Sequence, residues 1–276
     1  MRVVVVGCNG FIGRAVVNEL NSLGIENLGI TKEEFNLLED TTYLKLKGVL
    51  RENDQIVFTS AIAPSKSGED VRKSIKMAEV FCNSIVELNI KQVVLISSDS
   101  VYGDKGGLFN ELSACDPNSF HGLAQLSREI ILQNSNIENL AILRVCAVYG
   151  EGDTHNGYGP NRFFSQIKNS ETIKVFGEGL NTRDHIHIVD VVNLIIRSLK
   201  TNFSGTLNIA TGKSYSFHDV AKKCRSIFSP QTRIEYSGTE GEIFVKGFDI
   251  SKINETYPDF TAMNLDAGLA FWKKQI

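Results

Sequence analysis

No apolar run in this chain approaches the roughly eighteen residues that a membrane helix requires. Met1–Val6 is apolar, but glycines break it at once, so a secretory leader is not expected and the chain reads as cytoplasmic. Cysteine is sparse: Cys8, Cys82, Cys115, Cys146 and Cys224 are scattered, odd in number and never spaced C-x-x-C. That pattern excludes a disulfide framework or a zinc ribbon and fits free thiols in a reducing compartment. The histidines at 155, 185, 187 and 218 lack metal-ligand spacing, so no metal is expected. Cationic excess is also missing. A net charge of −3 over 276 residues gives no footprint for nucleic acid or an anionic membrane as partner. Internal repeats, low-complexity tracts and long linkers are absent as well.

What remains is ordinary globular composition, 42% hydrophobic and 22% charged, enough for one large α/β domain with an added lobe. Arg2–Gly13, RVVVVGCNGFIG, organises the rest. Its short apolar run predicts a buried parallel strand, and Ala15, Val16, Val17, Leu20 and Leu23 predict an amphipathic helix. Gly7, Gly10 and Gly13 punctuate the turn between them, with Asn9 where the common fingerprint has its second glycine. Strand, glycine turn and helix in that order form a dinucleotide-binding unit. Bare backbone N–H groups approach a pyrophosphate there, and the helix N-terminus adds partial positive charge.

Further strands are expected at Glu26–Thr31, Asp54–Thr59, Gln92–Ser97 and Leu140–Val145, with helices at Val71–Leu88 and Leu123–Leu132. This alternation predicts an α/β fold, a Rossmann-type doubly wound parallel sheet. After the second strand, where an acidic residue would bind a ribose 2′-hydroxyl, stand Thr31 and Lys32. A neutral residue followed by a cation favours NADP(H) over NAD(H), unless Lys32 is only a solvated loop residue. Beyond Gly150 a polar, glycine-rich loop, Glu151–Asn161, leads into a small C-terminal lobe. In that lobe a helix is expected near Arg162–Lys168, a strand at Ile173–Phe176 and a strand edge at Arg183–Asp190. A helix at Val191–Leu199 and a strand at Thr206–Ile209 return to the sheet, and helices follow near Phe217–Ile227 and Asp266–Lys274. Residues 1–150 are thus expected to form the NAD(P)-binding core, and 151–276 mainly the lobe, with about 184–210 completing the core.

Four motifs then point one way: GCNGFIG at the start, LISSDSVYG at Leu95–Gly103, LRVCAVYG at Leu143–Gly150 and VFGEGLNTRDHIHIVD at Val175–Asp190. Together they resemble the extended short-chain dehydrogenase/reductases that act on nucleotide sugars as epimerases, dehydratases and reductases. The resemblance implies an NAD(P) site lined by Gly7, Asn9, Gly10, Phe11, Ile12, Gly13, Thr31, Lys32, Asn36, Leu37, Ser60, Ala61 and Gln125. It implies substrate contacts from Ser98, Arg183, Val175 and Asn161, with the Arg183 guanidinium on the phosphates, a task suited to a planar bidentate donor. A structural pair of Arg183 with Asp184 or another lobe carboxylate is the plain alternative. A substrate-binding role for the small C-terminal lobe and a homodimer through the helices at Val71–Leu88 and Leu123–Leu132 are implied too.

Departures sit at the catalytic positions. Ser98 stands four residues before Tyr102, as the family pattern requires. The expected Tyr-x-x-x-Lys, however, is replaced: aligned on Gly122 and Glu129, His121 holds the tyrosine place and Gln125 the lysine place. The literal Tyr43-x-x-x-Lys47 lies between the second and third strands, in the wrong element, and is read as chance. A phenol of pKa about 10 needs a neighbouring cation to approach neutrality, whereas an imidazole near 6.5 does not. Glutamine keeps a hydrogen-bond donor for the nicotinamide ribose without the charge. The pair is therefore chemically consistent with His121 as proton donor or acceptor and Gln125 as ribose clamp. Decay of a redundant site, leaving an NAD(P)-bound sensor or structural partner, is the alternative. Asp99, after Ser98, is open as a general acid, an orienter of His121 or a turn cap. Ala147 stands where the family has an asparagine phosphate contact, Glu151 where it has a proline. Thr239–Glu242 keeps the late motif without its arginine. The expected function is NAD(P)-dependent reduction, epimerisation or dehydration of a sugar, the partner being a small molecule, a nucleotide sugar first of all.

Overall fold

In the computed structural model residues 1–153, 156–239 and 241–276 are described; His155 and Glu240 lie outside them. The chain opens β1 (Arg2–Val6), α1 (Phe11–Ser22), β2 (Glu26–Ile30), α2 (Thr42–Val49), β3 (Gln55–Phe58), α3 (Gly68–Ile85) and β4 (Gln92–Ser98). A single 3₁₀ turn over Asp99–Tyr102 follows, then β5 (Gly107–Phe109), α4 (Phe120–Gln133), β6 (Leu140–Val145) and β7 (Ala147–Tyr149). The remainder is α5 (Pro160–Lys168), β8 (Ile173–Phe176), β9 (Thr182–His187), α6 (Ile188–Thr201), β10 (Gly205–Ile209) and β11 (Ser214–Ser216). It closes with α7 (Phe217–Phe228), β12 (Ile234–Ser237), β13 (Lys246–Phe248), α8 (Ser251–Thr256) and α9 (Leu265–Lys273).

Two compact units divide these elements: Met1–Asp104, Ala114–Val145 and Val192–Leu207 form the first, and Lys105–Ser113, Cys146–Val191 and Asn208–Ile276 the second. The division differs from the expected break at residue 150. It falls at Val145, and Lys105–Ser113 leaves the first unit because β5 pairs with β13.

The first unit holds the sheet expected from the apolar runs, in strand order β10-β6-β4-β3-β1-β2. β1 pairs in parallel with β2 and β3, β3 with β4, and β4 with β6. Every residue of β3 and the first six of β4 are buried, which is why apolar residues stand consecutively at Ile56–Phe58 and Val93–Ile96 without alternation. Because β1 connects outward to β2 on one side and β3 lies on its other side, the order reverses at β1/β3, and ligands of open α/β sheets bind at the carboxyl ends there. Polar residues lock the opposite end: Gln55 Nε2 donates to Gln92 Oε1 (2.8 Å) and Leu199 O (2.7 Å), and Gln92 Nε2 to Ser198 O (3.0 Å) and Phe203 O (2.8 Å). These amides add side-chain donors to the Ser198 and Leu199 carbonyls in the last turn of α6 and to Phe203 O just beyond it.

The second unit is built on β9, parallel to β7 and antiparallel to β11. Its core gathers Tyr149, Phe163, Ile173, Val175, Val220, Leu269 and Trp272. The expected strand edge Arg183–Asp190 is corrected: the strand ends at His187, and Asp190 sits in the first turn of α6, where its carboxylate accepts from Met263 N (2.9 Å).

Candidate active site

Gly7, Gly10 and Gly13 do different work. Gly7 has φ +92°, and a Cβ there would lie 2.6 Å from Ser60 Oγ and 2.7 Å from Thr59 Oγ1. A Cβ on Gly13 would lie 2.3 Å from the Gly7 carbonyl oxygen, so these two glycines let α1 close onto β1 and the end of β3. Gly10 is another case. Its φ of −73° suits any residue, and its Cβ would meet only Gly7 O, at 3.3 Å. Gly10 is the exposed N-cap of α1, with no side-chain cap and no acidic residue in the first turn. A side chain on Gly10 would stand at the N-terminus of α1, whose first-turn N–H groups and positive dipole end suit a pyrophosphate on charge and on hydrogen-bonding grounds.

At the end of β2, Thr31 Oγ1 donates to Glu34 Oε2 (3.4 Å), and Asn9 Nδ2 approaches Glu33 Oε2 at 3.5 Å. Burial, and behind it the charges of Glu34 and Glu33, pushes the Cys8 thiol up, so the field of both carboxylates reaches the glycine loop. Lys32 is exposed beside them. Leu37 is corrected as a cofactor contact: its side chain is 4% exposed and packs in the core of the first unit. Asn36 holds a turn, accepting from Leu38 N (3.2 Å) and donating to Glu39 Oε1 (3.1 Å). Ser60 and Ala61, in the loop after β3, are half-buried.

Ser98 ends β4 and caps the 3₁₀ turn, its Oγ accepting from Ser100 N (3.2 Å) and Ser100 Oγ (3.0 Å). The cap of that turn is therefore Ser98, while Asp99 stands within 3.4 Å of the Ser98 hydroxyl as its acceptor. Gly122 brings α4 onto this turn, since a Cβ there would lie 2.3 Å from Ser100 O. Ser119 caps α4 by accepting from Gly122 N (3.1 Å), and His121 and Gln125 follow on successive turns of one helix face. The half-buried His121 accepts at Nδ1 from Ser65 N (3.4 Å), so in this arrangement the neutral ring carries its proton on Nε2. Gln125 is buried, its Oε1 taken by Arg128.

Sequence reasoning missed Arg128, Glu129 and Arg144. Glu129 is held by Arg144 through Nε (3.1 and 3.2 Å) and Nη2 (2.7 Å) and by the Ser97 hydroxyl, and Arg144 Nη1 donates to Tyr102 Oη (3.0 Å). Tyr102 of the V-Y-G motif is fully buried there as an anchor. Tyr43 and Lys47 lie on α2, where Lys47 pairs with Glu87 at 2.7 Å.

In the second unit, Arg183 is half-buried on β9 with its guanidinium 4.7 Å from the Phe244 ring centre. Asp184, on the opposite strand face, accepts from Thr211 Oγ1 (2.7 Å), Thr211 N (3.1 Å) and Gly212 N (2.8 Å). Burial raises its carboxyl to about 6, against those hydrogen bonds. Two expected substrate contacts are corrected. Val175 is fully buried in the core, and Asn161 spends both ends on backbone, accepting from Gly150 N (3.0 Å) and donating to Val148 O (3.2 Å). Among the described residues there is no group of three or more His, Cys, Asp or Glu able to hold a metal, and no helix long and apolar enough to cross a membrane.

A glycine cradle on β1–α1, a serine ending β4 and polar side chains on the first turns of the next long helix agree with one family model. The NAD dependent epimerase/dehydratase family matches residues 3–210. The chain belongs to this family. Two relatives are similar over nearly the whole of this epimerase/dehydratase family member. ADP-L-glycero-D-manno-heptose-6-epimerase of Brachyspira hyodysenteriae is 26% identical, covering 97% of this chain and 95% of its own. An uncharacterized UDP-glucose epimerase of Bacillus subtilis is 27% identical, covering 98% and 96%. Among solved structures, UDP-glucuronic acid 4-epimerase from Bacillus cereus in complex with UDP-glucuronic acid and NAD shares the fold, with TM-score 0.83, 23% identity and 100% and 99% coverage. UDP-glucose 4-epimerase from Thermotoga maritima does so with TM-score 0.86, 20% identity and 99% and 98% coverage. The fold class and the family read from the motifs are both borne out.

Proposed function

We propose that this epimerase/dehydratase family member binds NAD and modifies a nucleotide-activated sugar by hydride transfer, epimerisation being the first reaction to test. The observation that carries the reading is the Gly122 contact, which sets the His121 turn of α4 against the Ser98 turn, in the unit that also carries the glycine cradle. Relatives whose names specify ADP- and UDP-sugar epimerases support the substrate class. Bound NAD would supply a hydride acceptor at its nicotinamide ring. Ser98 then polarises the reacting oxygen, His121 handles its proton, and Gln125 offers N–H groups to the ribose. Arg183 is the phosphate contact in this reading.

For the cofactor, two carboxylates at the β2 end outweigh the single charge of Lys32. A dianionic 2′-phosphate would be repelled there, so the preference for NADP(H) expected from Thr31 and Lys32 gives way to NAD. Residues 1–104, 114–145 and 192–207 form the cofactor unit in this proposal, and the rest the substrate lobe. Leu123 and Ile130, exposed on α4, mark the face for a homodimer.

One observation favours a second reading, an NAD-bound protein without turnover. While Ser65 N donates to His121 Nδ1, the ring is able to donate from Nε2 but not to accept there. Incubation with NAD and a panel of UDP-, ADP- and dTDP-hexoses, with products resolved by NMR, separates the two. Conversion of a panel member supports the enzyme. Tight NAD binding with no conversion of any would replace it by the sensor.

A further inference from the structure

Arg128 lies on α4 one turn beyond Gln125 and is fully buried. Its guanidinium ties three segments of the first unit. Nη1 donates to Ile96 O on β4 (3.0 Å) and to Gln125 Oε1, and Nη2 donates to Ser60 O in the loop after β3 (2.9 Å). The cation also sits 5.0 Å from the centre of the Phe58 ring, itself stacked on Phe81 at 4.2 Å. All of these acceptors are neutral oxygens. The neighbouring Glu129 spends its carboxylate on Arg144 and Ser97. Burial lowers the Arg128 guanidinium to about 10, partly opposed by the Glu129 charge, which leaves it protonated at neutral pH.

A guanidinium has donors only, so it must face the oxygen of the Gln125 amide and never its nitrogen. The nitrogen is thereby turned the other way. Gln125 Nε2 makes no hydrogen bond among the described residues, and it is not among the sealed atoms that lack a partner. His121, Gln125 and Arg128 are spaced i, i+4 and i+7, which aligns them along one stripe of the helix.

We propose that Arg128 is a positioning residue for the NAD site: it fixes the Gln125 amide with both N–H groups presented to the nicotinamide ribose, and it joins that amide to the Ser60 loop behind the glycine turn. This rests on the NAD-binding reading above. A cation is present at this site after all, three residues beyond the place where the family resemblance implies one, and it acts through an amide.

The sharpest variant is Gln125→Glu, which keeps shape and gives Arg128 a carboxylate to pair with, but removes the donors. Calorimetric titration of NAD into the wild-type protein, Gly10→Val and Gln125→Glu reads the difference. The expected result is unchanged or higher thermal stability for Gln125→Glu with NAD affinity reduced by about tenfold, the loss of one good hydrogen bond. Arg128→Met frees the amide to rotate and is expected to weaken NAD severalfold. Adding Gln125→Lys to Arg128→Met restores a donor of fixed polarity and is expected to recover affinity. If Gln125→Glu binds NAD as the wild type does while Gly10→Val loses it, the role of Arg128 is overturned and the NAD site stands. Wild-type protein that fails to bind NAD overturns both. If Arg128→Met does not fold, Gln125→Glu alone decides.

Discussion

Two arginines are buried within reach of α4, and they are held in opposite ways. Arg144 meets both oxygens of Glu129 and the Tyr102 hydroxyl. Burial pulls its pKa down, but the Glu129 hydrogen bonds and charge outweigh that and leave it raised. Arg128, by contrast, has two carbonyl oxygens and an amide oxygen, and its pKa falls to about 10. Two residues one turn apart on α4 thus divide the labour. Glu129 spends its charge on a closed ion pair that fastens β6 to α4 beside the V-Y-G turn. Gln125 stays neutral, offers Arg128 only an amide oxygen and leaves that cation without a carboxylate. The Arg144 charge is neutralised by a carboxylate, whereas the Arg128 charge meets only neutral oxygens and its Nε, also buried, has no hydrogen-bond partner among the described residues.

The largest expected effect breaks the closed pair. Glu129→Gln leaves Arg144 buried without a carboxylate, a class of change that costs about 3–5 kcal/mol. Chemical denaturation is expected to show that loss, and a change below about 1 kcal/mol would contradict the structural role given to the pair. Next comes His121→Phe on the same helix, which is expected to lower turnover by about a hundredfold or more, the usual size of an acid–base contribution. NAD affinity is expected to survive it, because the ribose donors belong to Gln125; full activity would remove His121 from the chemistry.

The lobe offers a smaller comparison of two buried groups. Burial lowers His187 to about 4, so its neutral form is the folded one, and the stability it confers is complete above about 6.5 and lost as pH falls to 4. Asp184 is raised from its ordinary carboxylate value to about 6, and its effect has the opposite sign, with stability declining as pH rises to 6. The two slopes oppose each other across nearly one window, each worth at most about 1.4 kcal/mol per pH unit. Asp184→Asn is expected to steepen the rise of stability between pH 4 and 6.5, and His187→Phe to reverse it. Denaturation midpoints that keep the wild-type pH dependence in both would rule this out. The smallest effect concerns the cofactor. Glu33→Gln with Glu34→Gln is expected to shift preference toward NADP by a severalfold ratio, the scale of exposed charge contacts. Equal effects on NAD and NADP would place those carboxylates away from the 2′ position.

Much of the fold was legible, for reasons visible in particular elements. β1, β3, β4 and β6 each carry a run of consecutive apolar residues, Val3–Val6, Ile56–Phe58, Val93–Ile96 and Leu140–Leu143, because parallel strands are buried on both faces. α2 was missed because Thr42–Val49, TYLKLKGV, alternates like a strand, while only Thr42 and Leu46, one helical turn apart, are buried. β5, β7, β11 and β13 span three residues each, too few for any period to show. At the proposed site, motif offsets point to Ser98, His121 and Gln125, which need only spacing. Arg128 escaped because an arginine in the run Leu126-Ser127-Arg128-Glu129 reads as solvated surface. Its signal was there: it falls i+4 from Ala124 and four residues before Leu132, both buried, on the face turned inward. Val175 packs in the core of the second unit and Asn161 bonds backbone, uses that the family resemblance alone does not distinguish from substrate contact.

The most direct test of the account is calorimetric titration of NAD into wild-type protein and Gly10→Val. Gly10 has a φ open to any residue and one close neighbour at 3.3 Å, so the valine variant is expected to fold and unfold much as the wild type does. Its side chain would occupy the space before the α1 N-terminus, and the account predicts one-site binding by the wild type with none by the variant. Equal NAD affinity in the two proteins would contradict the glycine cradle, and the function built on it.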